Sequence, residues 1–404
     1  MQLSQTTLDR LNNTFFKEHW QKNSVLFAQC FHNNDDFEQC IDINELAGLA
    51  LEEDIESRLI TQTNPSELKF NLNNGPFTEA QITSLPTSHW TLLIQAVDHY
   101  FEAFQALKQQ FTFIPNWRLD DVMVSISPTG GTVGPHFDQY DVFLIQASGT
   151  REWQVGQTCD SATALMEGNA LSIIDNFNAE QTHQCSVGDM LYIPPGKSHW
   201  GTATSDNCIT ISIGFRAPSY QELIDDISLE AISDLSESER FEDVHQTRPQ
   251  QNLALIDDEN MAQITKTLQQ LILDKYRIGE RFNAMSSQVK YPDDFDIITQ
   301  EEAASLLSQW QQAQATLILR ANSRINYSKH LTDHGETFII GLNGQVIRLP
   351  ASPSLEQLIE QLSTFQAIKI NQINASESCL TLITAAISFD AVENLNDTAE
   401  ECEY

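Results

Sequence analysis

The chain has 404 residues, with 22 Lys and Arg against 56 Asp and Glu, for a formal charge of −34. A hydrophobic content of 41%, including 21 Phe and 6 Trp, supplies packed cores, two or three of them at this length, and excludes a disordered chain. So acidic a chain lacks the basic surface that phosphate contacts need, which argues against general nucleic-acid or anionic-membrane binding.

No apolar run reaches the ~18–20 residues of a membrane span. Met1–Phe16 shows no basic stretch followed by an apolar core, so no secretory signal is expected. Seven cysteines, widely spaced and without Cys-x-x-Cys, suit a reduced, cytoplasmic protein.

Residues 1–110 read as mostly helical, with apolar residues at helical spacing over Leu8–Trp20, Asn44–Leu59 and Ser88–Gln109. From Val122 the pattern changes to short β runs: Val122–Ser127, Asp141–Gln146, Arg151–Val155, Leu171–Ile174, Met190–Ile193 and Ile209–Phe215. Gly, Pro and Asn/Asp turns separate them, as in an antiparallel barrel or jelly roll. After Pro218 come two predicted helices, through Leu223–Leu235 and Met261–Leu271, in an acidic stretch, and Tyr291-Pro-Asp-Asp reads as a linker. Thr299-x-x-Glu302 signals a capped helix through Trp310. Asn343-Gly344 signals a hairpin turn between Phe338–Gly341 and Gln345–Leu349. Helices near Leu355–Phe365 and Leu380–Val392 complete a small α+β unit, and Glu400, Glu401 and Glu403 read as a frayed tail.

The chemistry concentrates in two stretches. In Gly130-Gly-Thr-Val-Gly-Pro-His136-Phe-Asp138, a Gly-rich turn delivers a histidine and, two residues on, a carboxylate; in extended chain both project from one face. In Gly188-Asp-Met-Leu-Tyr-Ile-Pro194-Pro-Gly196-Lys-Ser-His199, a strand and a rigid turn present a second histidine. Two His and one carboxylate form the facial set of non-haem Fe(II) oxygenases, which leaves positions open for a co-substrate and O2. A His-x-Asp pair alone is an ordinary turn. Order and spacing together carry the signal, and they resemble the two cupin motifs. Asp138 stands where ordinary cupins carry a second His, and Val142 and Phe143 fill the region of their Glu, which points to the 2-oxoglutarate oxygenase branch. His183 and Cys185 are weaker ligand candidates. His19, His32, His89, His99, His245, His330 and His334 lack ligand spacing and read as structural or solvated.

Leu119–Trp153, with Asp120-Asp121, Gly-Pro-His-Phe-Asp-Gln-Tyr-Asp-Val-Phe and Gly149-Thr-Arg-Glu-Trp153, resembles the bacterial ribosomal oxygenases, JmjC-type, 2-oxoglutarate-dependent protein hydroxylases of the YcfD type. Tyr192-Ile-Pro-Pro-Gly, Ser212-Ile-Gly-Phe-Arg-Ala-Pro218, Phe16-Lys-Glu-His-Trp-Gln-Lys22 and Asn74-Gly-Pro-Phe77 extend the likeness over about residues 10–220. Ser24 departs from it, at a position where related sequences usually carry Pro.

The resemblance implies an α+β protein in three parts: a JmjC/cupin double-stranded β-helix (jelly roll) with N-terminal helices over 1–219, a helical dimerisation segment over 220–292, and a winged-helix-like domain over 293–404. It implies Fe(II) on His136, Asp138 and His199, with 2-oxoglutarate and O2 as co-substrates and succinate and CO2 as products. Arg151 has the planar fork that suits a carboxylate. By residue type alone a surface salt bridge suits it equally and Arg216 competes; the resemblance assigns Arg151 to 2-oxoglutarate, with Ser125 as a hydroxyl partner. The implied target is an arginine, hydroxylated at the β-carbon, on a basic large-subunit ribosomal protein, with a homodimer as the enzyme.

Period 2 puts Asp121, Met123 and Ser125 on one face of their strand, and His136, Asp138 and Tyr140 on one face of theirs. Met123 and Tyr140 are then expected to flank a long substrate side chain whose cationic end meets Asp121, with Ser212 as a further polar partner. The plainer reading of Asp121 is a bond to a nearby turn. The alternatives are the same chemistry on a histidine, a non-catalytic metal-binding cupin adaptor, and a winged-helix DNA regulator. The last is disfavoured because 301–404 offers only Arg320, Arg324, Lys329, Arg348 and Lys369 as bases.

Overall fold

The computed structural model describes residues 1–242, 254–333 and 335–396. His245, His334 and the acidic tail through Glu400, Glu401 and Glu403 lie outside the described residues. The chain forms two compact units, Met1–Arg216 and Ala217–Tyr404.

In the first unit, Ser4 accepts the Thr7 N–H and opens a helical run, Gln5–Arg10 through Leu11–Phe15 to Phe16–Glu18. Leu11 and Phe15, four residues apart, are both fully buried, as the helical period requires. The strands are β1 Val25–Phe27, β2 Ser57–Asn64, β3 Lys69–Asn74, β4 Trp90–Ile94, β5 Leu119–Ser127, β6 Asp141–Ser148, β7 Arg151–Thr158, β8 Ala179–Cys185, β9 Met190–Ile193, β10 Lys197–Ala203 and β11 Cys208–Phe215. They build an eight-stranded antiparallel sheet, β1-β9-β6-β11-β5-β4-β2-β3, and a three-stranded one, β10-β7-β8.

Alternation along the strands separates two cores. Val122, Val124, Ile126, Phe143, Ile145, Ile211 and Ile213 face outward and pack with Leu11, Phe15, Phe104 and Phe111 of the helical layer. Val142, Leu144, Leu191 and Ile193 face inward against Trp153, Val155 and Cys185 of the small sheet. The two sheets enclose a jelly roll.

Three expectations are corrected. The helix predicted over Asn44–Leu59 ends at Leu49, and β2 begins at Ser57. The helix predicted over Ser88–Gln109 is β4 followed by a short helix, Glu102–Lys108. Thr91, Leu92, Leu93 and Ile94 are all buried, and a strand covered on both faces has no period of 2 to read. Leu171–Ile174 is not a strand; one isolated bridge joins Ile174 to Leu165.

The second unit carries helices Tyr220–Asp234, Asp258–Ile272, Lys275–Ser286, Gln300–Ala313, Pro353–Ser363 and Glu377–Ser388. Capping boxes at Ser219 with Glu222 and at Thr299 with Glu302 start two of them. Its strands form two three-stranded sheets. One joins β12 Thr316–Leu319, β16 Ile368–Lys369 and β17 Val392–Asn394; the other joins β13 Ile325–Thr332, β14 Gly335–Leu342 and β15 Gln345–Pro350. Asn343-Gly344 turns β14 into β15, in the predicted place.

Candidate metal centre

The segment carrying His136 and Asp138 is an extended loop rather than a strand, lashed along β10 by main-chain hydrogen bonds. The His136 N–H donates to the His199 carbonyl (3.0 Å) and the His199 N–H to the His136 carbonyl (2.8 Å). The Gly196 N–H, in the Pro-Pro-Gly turn, donates to the Asp138 carbonyl (2.7 Å). The two motifs therefore meet through their backbones, and their side chains converge as a consequence.

One donor atom from each of His136, Asp138 and His199 lies within 4.8 Å of the others. The imidazole centroids of the two histidines are 4.2 Å apart, and His199 Nε2 is 3.6 Å from Asp138 Oδ2. Each histidine offers Nδ1 to a carbonyl, His136 to Gly134 (2.9 Å) and His199 to Lys197 (3.1 Å). A carbonyl only accepts, so Nδ1 holds the proton and the Nε2 lone pair faces the centre. Burial and the neighbouring His136 push the His199 pKa down to about 4, against the pull of Asp138, so that ring is neutral near neutral pH. Two imidazoles and a carboxylate suit a divalent transition metal. His183 and Cys185 sit on β8, opposite Trp153 and Arg151, outside this cluster.

Arg151 opens β7 and is 2% exposed. Its Nη2 donates to Ser127 Oγ (3.0 Å), which also contacts Thr91 Oγ1 (3.0 Å), and its buried Nε has no hydrogen-bond partner. A buried guanidinium with an idle donor fits a carboxylate ligand. Arg216, its competitor, is exposed. Ser125 is buried and donates to the Thr210 carbonyl at 3.4 Å. Ser127 was not among the expected site residues, although the face through Asp121, Met123 and Ser125 points to it as the next residue inward.

The remaining predicted residues lie around the same face. Tyr140 is 41% exposed, and its partial burial together with Asp138, Asp121 and Asp120 raises its phenol above the ordinary value. Met123 accepts a contact from Gln95 Nε2 on its sulfur (3.3 Å) and stands opposite Ser212 across the β5–β11 pair. Asp121 is 7% exposed, and its Oδ2 accepts the Ala96 N–H (3.1 Å), so the turn bond exists; the same carboxylate also lies close enough to raise the Tyr140 phenol.

This jelly roll with a His-Asp-His cluster at its mouth defines a JmjC-type protein, and residues 106–223 match the JmjC domain family. The ribosomal protein uL16 3-hydroxylase of Escherichia coli K12 is 42% identical over 210 residues, 52% of this chain. That match spans about half, 54%, of the relative's length. A crystal structure of the E. coli ribosomal oxygenase YcfD superposes with a TM-score of 0.76 at 30% identity, covering 97% of this chain and 99% of that one. The structure of YcfD in complex with cobalt and 2-oxoglutarate gives 0.77 at 29% identity, covering 98% and 99%. The chain belongs to the ribosomal oxygenase family of JmjC-domain proteins.

Proposed function

We propose that this protein is an Fe(II)- and 2-oxoglutarate-dependent dioxygenase that hydroxylates the β-carbon of an arginine in a basic large-subunit ribosomal protein, uL16 as in the E. coli relative, in the cytoplasm. The observation that carries the reading is the pairing of the His136-Asp138-His199 donors with Arg151, a buried cation with an idle donor. Fe(II) held there, with 2-oxoglutarate and O2, supplies the chemistry that converts a C–H to C–OH while 2-oxoglutarate becomes succinate and CO2.

The protein's own contribution is placement. His136, Asp138 and His199 would hold the metal through two imidazoles and a carboxylate. Arg151, oriented by Ser127 and the Trp153 ring 5.6 Å away, takes the distal carboxylate of 2-oxoglutarate, with Ser125 alongside. Met123 and Tyr140 flank the methylenes of the target side chain, and Asp121 with Ser212 receives its guanidinium, so that a buried charge is paired. The acidic chain steers a basic substrate toward the site. The helical segment over 220–292 joins two copies, and neither nucleic acid nor membrane is a partner.

Incubation with Fe(II), 2-oxoglutarate and a uL16 peptide is expected to yield succinate and a peptide heavier by one oxygen atom, mapped to an arginine by fragmentation. Oxygen on a histidine instead replaces the residue class. No succinate with any basic ribosomal protein would leave the non-catalytic adaptor.

A further inference from the structure

We propose that Thr132 is a positioning residue: its hydroxyl ties the loop that delivers His136 to the strand that carries His199, and so fixes how His136 faces the metal. The inference rests on the metal-centre reading above and adds to it a residue outside the ligand set.

Thr132 is buried, and its Oγ accepts two hydrogen bonds, from the Gly134 N–H (3.0 Å) and from the Trp200 indole N–H (2.9 Å). A hydroxyl oxygen has two acceptor sites, and both are used. Each donor adjoins a ligand. Trp200 follows His199 directly on β10. The peptide unit after Gly134 presents the carbonyl that accepts His136 Nδ1–H at 2.9 Å. Gly134 has φ +78°, and a Cβ there would come within 2.6 Å of Ile173, so the conformation that aims this carbonyl belongs to glycine alone. One hydroxyl thus sets the residue that orients one imidazole, and it is anchored to the neighbour of the other.

The position of this tie along the loop gives it leverage. Upstream, main-chain bonds hold the loop to β10: Gly130 N–H to the Ala203 carbonyl (2.8 Å) and Ala203 N–H to the Gly131 carbonyl (2.9 Å). Downstream, the reciprocal His136–His199 bonds do so. Between them the backbone bridge of Thr132 to Thr202 ends the upstream pairing. Val133-Gly134-Pro135 follows, where Pro135 has no N–H to give, and the Thr132 side chain adds its own tie from this span to Trp200. Trp200 in turn packs edge-on against Phe177 (5.9 Å, 84°). Ile174 N–H donates to the Pro135 carbonyl (2.9 Å), so the segment over 159–178 supports the same span.

Thr132→Val keeps shape and volume, removes the acceptor, and leaves the upstream rungs intact. The test is the affinity of the full-length protein for Co(II), followed by its visible absorption without co-substrate, beside circular dichroism of the metal-free protein. Thr132→Val is expected to weaken Co(II) binding about 10- to 100-fold, the usual effect of removing a group that orients a metal-ligating histidine, and Thr132→Ser to restore it. A folded Thr132→Val protein within about fivefold of wild type overturns the proposal, since a merely structural threonine would spare the affinity of folded molecules. If Thr132→Val does not fold, Trp200→Phe, which removes one of the two donors, decides on the same fivefold line. His199→Ala separates the two levels of the argument. If it leaves Co(II) binding unchanged, the metal-centre reading itself fails; if it abolishes binding while Thr132→Val does not weaken it, only the tie is lost.

Discussion

At the scale of single residues, the side chains at the mouth of the jelly roll divide by what holds them. His136 and Asp138 sit on a loop fixed by main-chain bonds, so truncating them removes donors without unfolding the barrel. His136→Ala and Asp138→Ala are expected to lose essentially all hydroxylation while keeping the wild-type circular dichroism spectrum. Near-normal succinate formation by the Asp138 variant would remove it from the ligand set. Arg151 is a different case because its hydrogen-bond partner is a hydroxyl, Ser127, not a carboxylate. Arg151→Met is expected to raise the 2-oxoglutarate KM by at least about 30-fold, the lower end for deleting one member of a buried charge pair, with metal affinity unchanged. One Asp121 oxygen accepts the Ala96 N–H, and the proposed function gives the same carboxylate a second duty, pairing with the substrate cation. Asp121→Asn keeps an acceptor for Ala96 and removes only the charge. It is therefore expected to weaken peptide hydroxylation by about 2–5 kcal/mol, roughly 30- to 5,000-fold, with Fe(II) and 2-oxoglutarate binding retained. Turnover of the natural substrate within about threefold of wild type would show that Asp121 serves the turn alone.

At the scale of elements, the face of β5 that carries Asp121, Met123 and Ser125 depends on a buried ion pair outside the site. Asp98 accepts Lys108 Nζ at 2.5 Å and the Val122 N–H at 2.8 Å, joining the turn after β4 and the helix Glu102–Lys108 to β5. Burial opposes ionisation of Asp98, but Lys108, His99 and the Val122 N–H together outweigh it and hold its pKa below the ordinary carboxylate value. A depressed folded pKa means the stabilisation is complete above the unfolded value of about 3.9 and is lost as pH falls through the folded one. Lys108→Met is expected to destabilise the N-terminal unit by about 3–5 kcal/mol at neutral pH, because it leaves a buried carboxylate unpaired. Against pH, the gap from wild type should shrink below about pH 4, which thermal melts would follow. The same scale shows where the sequence is readable. The ligand loop and the Pro-Pro-Gly turn are legible because Gly and Pro mark backbone positions that few other residues fill, and β5, β6, β9 and β11 because runs of β-branched and aromatic residues lie between turns. The polar strand β8 escapes, since four of its first five residues are exposed and no apolar face marks them. Helix Lys275–Ser286 escapes because its buried face is largely polar, with Glu280, Asn283 and Ser286 beside Ala284. Asn283 Nδ2 donates to Ser328 Oγ (2.6 Å) and to the Ile339 carbonyl (2.9 Å), and Glu280 pairs with Arg348, so hydrogen bonds seat that helix on the sheet where an apolar count finds nothing.

At the scale of the whole molecule, the question is what covers the helical segment of the second unit. Helix Tyr220–Asp234 is satisfied on one side. Ile227 and Ala231 are buried, Arg281 forks onto Asp226 with bonds of 2.6 and 2.7 Å, and Arg277 reaches Asp234 at 2.8 Å. These ties fix the helix on Lys275–Ser286, and a second set of its apolar residues is exposed among the described residues: Tyr220 is 85% exposed, Leu229 69% and Ile232 65%. Met261, Leu268 and Leu273, on and just after helix Asp258–Ile272, are also exposed. Isolated exposed apolar residues are ordinary, but a series along two consecutive helices marks an interaction surface. An isologous pair of such surfaces closes on itself, which is how two copies of one chain cover the same patch. The wild-type protein is therefore expected to sediment as a dimer at micromolar concentration. Leu229→Glu with Ile232→Glu places two like charges in each half of that surface, next to the acidic residues already there, and is expected to yield monomers that keep the wild-type circular dichroism spectrum. The metal centre is built wholly from residues of the first unit, so those monomers should bind Co(II) as wild type does. If wild type already sediments as a monomer, or the double variant remains a dimer, these helices are not the surface that joins two copies.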